Sequence, residues 1–176
     1  FAIALAEKDP SIHIGLIPCA HGGSPIDSWQ PGEFYKPTSG HPWDDAIRRA
    51  KLAMKAGTLK GILWHQGESD SKPELAPAYE TKLHDLIVRF RKELNTPDVP
   101  FIAGQMGQFQ ERPWEEDKKQ VDQAHRNLVT QVPFTGFANS DDLHHKGDQV
   151  HFDSASYREL GRRYAKEFLK VTGKEN

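Results

Sequence analysis

The sequence predicts an α/β protein, a three-layer α/β/α sandwich on a mostly parallel sheet. Three observations predict it: short apolar runs alternate with long amphipathic segments, the links between them are mostly short, and polar glycine-containing stretches fall directly after apolar runs. Alternating strands and helices mean parallel pairing with helices on both faces. Open sheets of this kind present reactive groups at the carboxyl ends of their strands.

Residues 1–8 read as the last turns of a helix, ended by Asp9-Pro10 because the residue before a proline is pushed out of the helical region. A domain rarely opens in mid-helix, so the start reads as truncated, which would hide any signal peptide. Residues 12–19, Ile-His-Ile-Gly-Leu-Ile-Pro-Cys, are expected to form the first strand, followed by a loop rich in Gly, Pro, Ser and aromatics to about residue 42. A helix is expected over 43–56, with Ala46, Ile47, Ala50, Ala53 and Met54 on one face and Gly57 as its C-cap. Residues 61–64 give the second strand. The clearest helix covers 74–94: Leu75, Tyr79, Leu83, Leu86, Ile87, Phe90 and Leu94 form one stripe, stopped by Asn95-Thr96-Pro97. Residues 100–105 give a third strand and 134–138 a fourth. Between them a helix over 115–132 turns Val121, Ala124, Leu128 and Val129 inward. The last helix, 154–171, does the same with Tyr157, Leu160, Tyr164, Phe168 and Leu169, and Ser156 with Glu159 would form a capping box.

The 176 residues fit one domain with a sizeable core. Apolar content of 36%, charged content of 27% and a net charge of -2 give no electrostatic reason to expect a nucleic-acid or anionic-membrane partner. No apolar run approaches the ~18 residues needed to span a bilayer. The single cysteine, Cys19, excludes an internal disulfide.

Chemistry concentrates in three stretches. Asp148 precedes His151 by three residues at a loop-to-helix junction, which suits a general base and the carboxylate that orients it; a surface loop with incidental charges is the plainer alternative. Trp64-His65-Gln66-Gly67-Glu68-Ser69-Asp70 closes the second strand. There Gln66 can aim its amide at a developing oxyanion, and Glu68 can orient a histidine or merely complement a helix dipole. Ala20-His21-Gly22-Gly23-Ser24 lets the backbone turn sharply and aim N–H groups into a pocket, although it lacks the spacing of a phosphate loop. Ser24 and Ser69 are candidate nucleophiles, but neither sits in G-x-S-x-G. Asp141, Asp142, His144, His145 and His151 leave a metal-dependent hydrolase as an alternative, without any H-E-x-x-H or Cys/His pattern. Trp29, Phe34, Tyr35, Trp43 and Trp114 suit either sugar stacking or packing.

Together these blocks resemble one family. Gly22-Gly23-Ser24-Pro25-Ile26-Asp27-Ser28-Trp29, the His65-Gln66-Gly67-Glu68 block, and the closing stretch from Asp148 to Ala165 with its Leu-Gly-Arg-Arg-Tyr-Ala helix are similar to the sialate O-acetylesterase-like, carbohydrate esterase family six branch of the SGNH hydrolases. The resemblance implies a flavodoxin-like fold and a serine-type acetylesterase that takes acetylated carbohydrate, needs no cofactor and forms an acyl-enzyme. That substrate class would favour a secreted or periplasmic enzyme. It implies His151 as base, Asp148 as its partner with Glu68 taking or sharing that role in some members, and Gly23 and Gln66 in the oxyanion hole. The family's nucleophile is a serine in a Gly-Gln-Ser-Asn block on the first strand, and no such block occurs in these 176 residues. The expectation is therefore that nucleophile and first strand lie upstream of Phe1, in one SGNH-type domain of which 1–176 is the N-terminally truncated part. A non-catalytic carbohydrate-binding relative that keeps the pocket is the remaining alternative.

Overall fold

The computed structural model describes residues 1–174. Its order of elements is α1 (Ala2–Lys8), α2 (Pro42–Ala53), β1 (Ile62–Trp64), α3 (Ala76–Glu93), β2 (Phe101–Gly104), α4 (Glu116–Gln131), β3 (Thr135–Ala138) and α5 (Ser154–Val171), with short 3₁₀ turns at Ile26–Trp29 and Lys36–Thr38. All strand pairing is parallel, in the order β1-β2-β3, with Leu63 opposite Ile102 and Ile102 opposite Gly136.

Side chains alternate across β2, and this builds the three layers. Phe101 and Ala103 enter a core shared with α2, α3 and α4, while Ile102 enters a second core with Leu160 and Tyr164 of α5. The α3 stripe is buried as its spacing requires: Tyr79, Leu83, Leu86, Ile87 and Phe90 all face inward. Burial of each such side chain contributes about 1.5–3 kcal/mol relative to exposure. Asn95, at φ +52°, ends that helix in the left-handed conformation that asparagine tolerates. Glu116 and Asp117 place negative charge at the positive end of α4.

Four expectations are corrected. Residues 12–19 form no strand. Ile12 is 41% and Leu16 69% exposed, and an extended segment without a neighbouring strand has no ladder to join. The α4 stripe turns differently from the prediction. Asp122 and His125 are buried with Val121, Ala124 and Leu128, whereas Val129 is 47% exposed, one position past the inward face. In α5, Leu160 and Tyr164 are buried but Tyr157 is 48% exposed. The α5 cap is Asp153, whose Oδ1 accepts from the Ser156 N–H at 2.7 Å; Ser156 instead uses its hydroxyl to accept from the His144 N–H at 2.9 Å. No helix among the described residues is long and apolar enough to cross a membrane.

Candidate active site

β1, β2 and β3 end at Trp64, Gly104 and Ala138, so the segments that follow them meet at one edge of the sheet. The turn after β1 depends on Gly67, whose φ is +146°; a Cβ there would come within 2.7 Å of Met106 Sδ and 2.9 Å of Val121 Cγ1. Its carbonyl accepts from the Asp70 N–H at 3.0 Å and the Ser71 hydroxyl at 2.9 Å. Gln66 and Asp70 are turned inward by this geometry, and Glu68 is left exposed.

The inward side chains form a polar chain of fixed direction. Asp70 is 1% exposed, and its Oδ2 accepts from the Ile26 N–H at 2.9 Å and from Gln66 Nε2. The other Gln66 N–H reaches the Ser24 carbonyl at 3.0 Å. A carboxylate only accepts, so the amide nitrogen faces Asp70 and Gln66 Oε1 takes the Tyr79 hydroxyl proton at 2.8 Å. Tyr79 oxygen then accepts from His125 Nε2–H at 2.8 Å, which fixes the histidine tautomer by the network around it. His125 is fully buried with Nδ1 unpartnered, and burial lowers its pKa to about 3. Burial raises the Asp70 pKa, opposed by its bonds from Gln66 and Ile26.

Loop 20–25 is held against this turn. The Gly23 carbonyl accepts from the Ser69 hydroxyl at 2.6 Å and the Tyr35 hydroxyl at 2.7 Å. Gly23 has φ +72°, a left-handed conformation that glycine adopts without strain. The candidate nucleophiles are both engaged here: Ser24 Oγ is buried and accepts from Trp29 Nε1–H at 3.0 Å, and Ser69 donates to Gly23.

On the other side of the edge the structure brings Asp148 and His151 together. Asp148 Oδ1 accepts from the backbone N–H groups of Val150 at 3.0 Å and His151 at 2.8 Å, while Oδ2 lies 2.7 Å from His151 Nδ1. The His151 backbone N–H, then its imidazole, hold the Asp148 pKa well below the usual carboxylate range. Since the carboxylate accepts, Nδ1 carries the proton and Nε2 is the basic nitrogen. Next in sequence, Phe152 is a buried wedge whose ring lies 6.0 Å from that of His65 and 5.7 Å from that of Phe109, tying this loop to the turn after β1. Glu68 has no hydrogen bond or ion pair among the described residues, and His151 is paired with Asp148 instead. The Glu68 charge still acts on His65, Lys118, Tyr157 and Tyr164. The surrounding protein desolvates His65 and lowers its pKa, against the pull of Glu68.

The His/Asp cluster disperses: Asp142 pairs with Arg163 at 2.8 Å and His145 approaches Glu111 at 3.7 Å. Among the described residues, no three His, Cys, Asp or Glu side chains converge to hold a metal ion. Trp29 and Trp43 are core residues, whereas Phe34 stays exposed against His41 and Trp114 lies under Lys118 Nζ at 5.1 Å. Two cavities of about 490 Å³ lie away from this edge, one lined by Pro97, Phe134 and Phe168, the other by Trp43, Ile47 and Arg89. Sequence reasoning missed His125; the available signal was a histidine four residues after Val121, on the helical face that core residues occupy.

The parallel sheet with helices on both faces makes this an α/β/α protein, and a glycine loop, an amide-bearing turn and the Asp148–His151 pair are the polar features gathered around it. The family model for carbohydrate esterase, sialic acid-specific acetylesterase, matches residues 1–170, and the chain belongs to that family. It is 36% identical over 98 residues to a probable carbohydrate esterase of Arabidopsis thaliana; the match covers 54% of this chain and about a third, 35%, of that protein. The 1.6 Å X-ray structure of that Arabidopsis protein superposes with a TM-score of 0.81 at 27% identity, over 96% of this chain and 66% of that one. A carbohydrate acetylesterase from Xanthomonas citri shares the fold, with a TM-score of 0.68 at 21% identity over 85% of this chain and 35% of that one.

Proposed function

We propose that this chain carries the base, the orienting carboxylate and part of the oxyanion hole of a carbohydrate O-acetylesterase that works through a serine acyl-enzyme. The Asp148–His151 pair carries this reading, because its bonded Nδ1 leaves Nε2 as the proton acceptor. In the first step a serine Oγ attacks the acetyl carbonyl, Nε2 takes its proton, and the Gly23 N–H receives the developing oxyanion. The imidazolium then protonates the departing sugar oxygen. Water, deprotonated by the same Nε2, releases acetate and restores the serine. Family membership supports acetylated sugars as substrates, and we extend this to sugars of the sialic-acid or xylan type. Ser24 and Ser69 have engaged hydroxyls, so the nucleophile is proposed to lie outside these 176 residues.

The test is acetate release from an aryl acetate and from acetylated xylan and sialic acid, with and without an organophosphate that labels reactive serines. The full-length polypeptide is expected to be active and stoichiometrically inactivated by the label, and residues 1–176 alone to be poor catalysts. Activity insensitive to the label would overturn the serine mechanism. Equal, label-sensitive turnover by the short chain would return Ser24 or Ser69 to the role.

A further inference from the structure

Three bonds run from the turn after β1 to the glycine loop: Ser69 hydroxyl to Gly23 carbonyl at 2.6 Å, Gln66 Nε2 to Ser24 carbonyl at 3.0 Å, and Ile26 N–H to Asp70 Oδ2 at 2.9 Å. Asp70 joins two of them, since the same oxygen that takes the Ile26 N–H also takes the second Gln66 proton. With both N–H groups and Oε1 engaged, Gln66 has no donor left over for substrate unless one of these bonds opens. The buried end of the chain, Tyr79 and His125, keeps Oε1 supplied with a proton and prevents the amide from flipping.

We propose that Asp70 is a positioning residue for the esterase step: it locks the Gln66 amide and the Ile26 backbone, and through them sets the direction in which the Gly23 N–H points. The proposal rests on the acetylesterase reading. Asp70 touches no reacting atom; it acts through the loop. An N–H displaced by about 1 Å loses on the order of 10²-fold in rate. The clamp is also the reason a buried carboxylate is retained here, since it offers an acceptor to two donors at one point.

The experiment compares Asp70→Ala, Asp70→Asn and Ser69→Ala in the full-length polypeptide. Turnover of an aryl acetate, thermal unfolding and hydrogen exchange at the Ile26 amide are followed together. Asp70→Ala is expected to lower kcat on the order of 10²-fold with KM within about twofold, and to speed Ile26 exchange. Asp70→Asn can still present one oxygen to both donors, so it should recover most of kcat; Ser69→Ala should lower kcat by less than Asp70→Ala does. Measurements are made well below each variant's unfolding midpoint, where a purely structural role leaves kcat unchanged. An active parent whose Asp70→Ala variant turns over within about twofold would overturn the positioning role alone. A parent without turnover would overturn the acetylesterase reading, and the positioning role with it.

Discussion

Asp70 and Asp148 are both aspartates at the same edge of the sheet, and their surroundings give them opposite characters. Asp70 is 1% exposed and heads a chain of buried donors and acceptors that runs through Gln66 and Tyr79 to His125; burial raises its pKa. The Asp148 side chain is 36% exposed, and hydrogen bonds from a single turn hold its pKa low. In one case desolvation wins, in the other direct donors win. The buried chain suits architecture, because each bond between Asp70 and His125 has one direction. The open pair suits proton transfer, because the far nitrogen of His151 has no partner among the described residues.

Substitutions break or sharpen that contrast, each made in a polypeptide that carries the proposed nucleophile. The largest effect is expected from His151→Ala, with kcat down by several orders of magnitude since base and nucleophile act as a unit. A loss under about tenfold in a folded variant would remove His151 from the mechanism. Asp148→Asn follows, at about 10⁴-fold in kcat, because an amide no longer fixes the tautomer or stabilises the imidazolium. Glu68→Gln should cost less, since His151 is bonded to Asp148. Reversal of that order, read from kcat at fixed pH, would make Glu68 the working partner.

Gln66→Ala is expected to lower kcat by about 10²-fold with little change in KM, whether it donates to the oxyanion or holds the glycine loop.

The smallest effect concerns stability. His125 has a pKa of about 3 in the fold against an ordinary 6.5. Between those values the unfolded chain binds more protons than the native one. Stability should therefore fall as pH drops from about 6.5 toward about 3, with a slope of at most about 1.4 kcal/mol per pH unit from this group. Urea unfolding at several pH values, with His125→Gln as the comparison, should show a shallower slope in the variant. An unchanged slope would mean that other groups carry the acid dependence.

The sequence by itself determined the α/β/α layering, the five α-helices and three strands found among the described residues, and the family, because periodicity, Gly/Pro punctuation and short motifs are local properties. The bond between Asp148 and His151 was also legible, since three residues fit within one turn. Tertiary structure decided the rest. Residues 12–19 have the composition of a strand, but a strand is defined by its neighbour, and here that segment lacks one. The spacing of His125 from Val121 hinted at an inward position, but the burial of Asp122 beside it depends on how α4 is rotated against its neighbours. The link from Asp70 to Ile26 spans 44 residues of sequence, and that from Tyr79 to His125 spans 46. A polar chain between such distant positions becomes visible only after packing places its members within hydrogen-bond distance, where burial makes each unmade bond expensive.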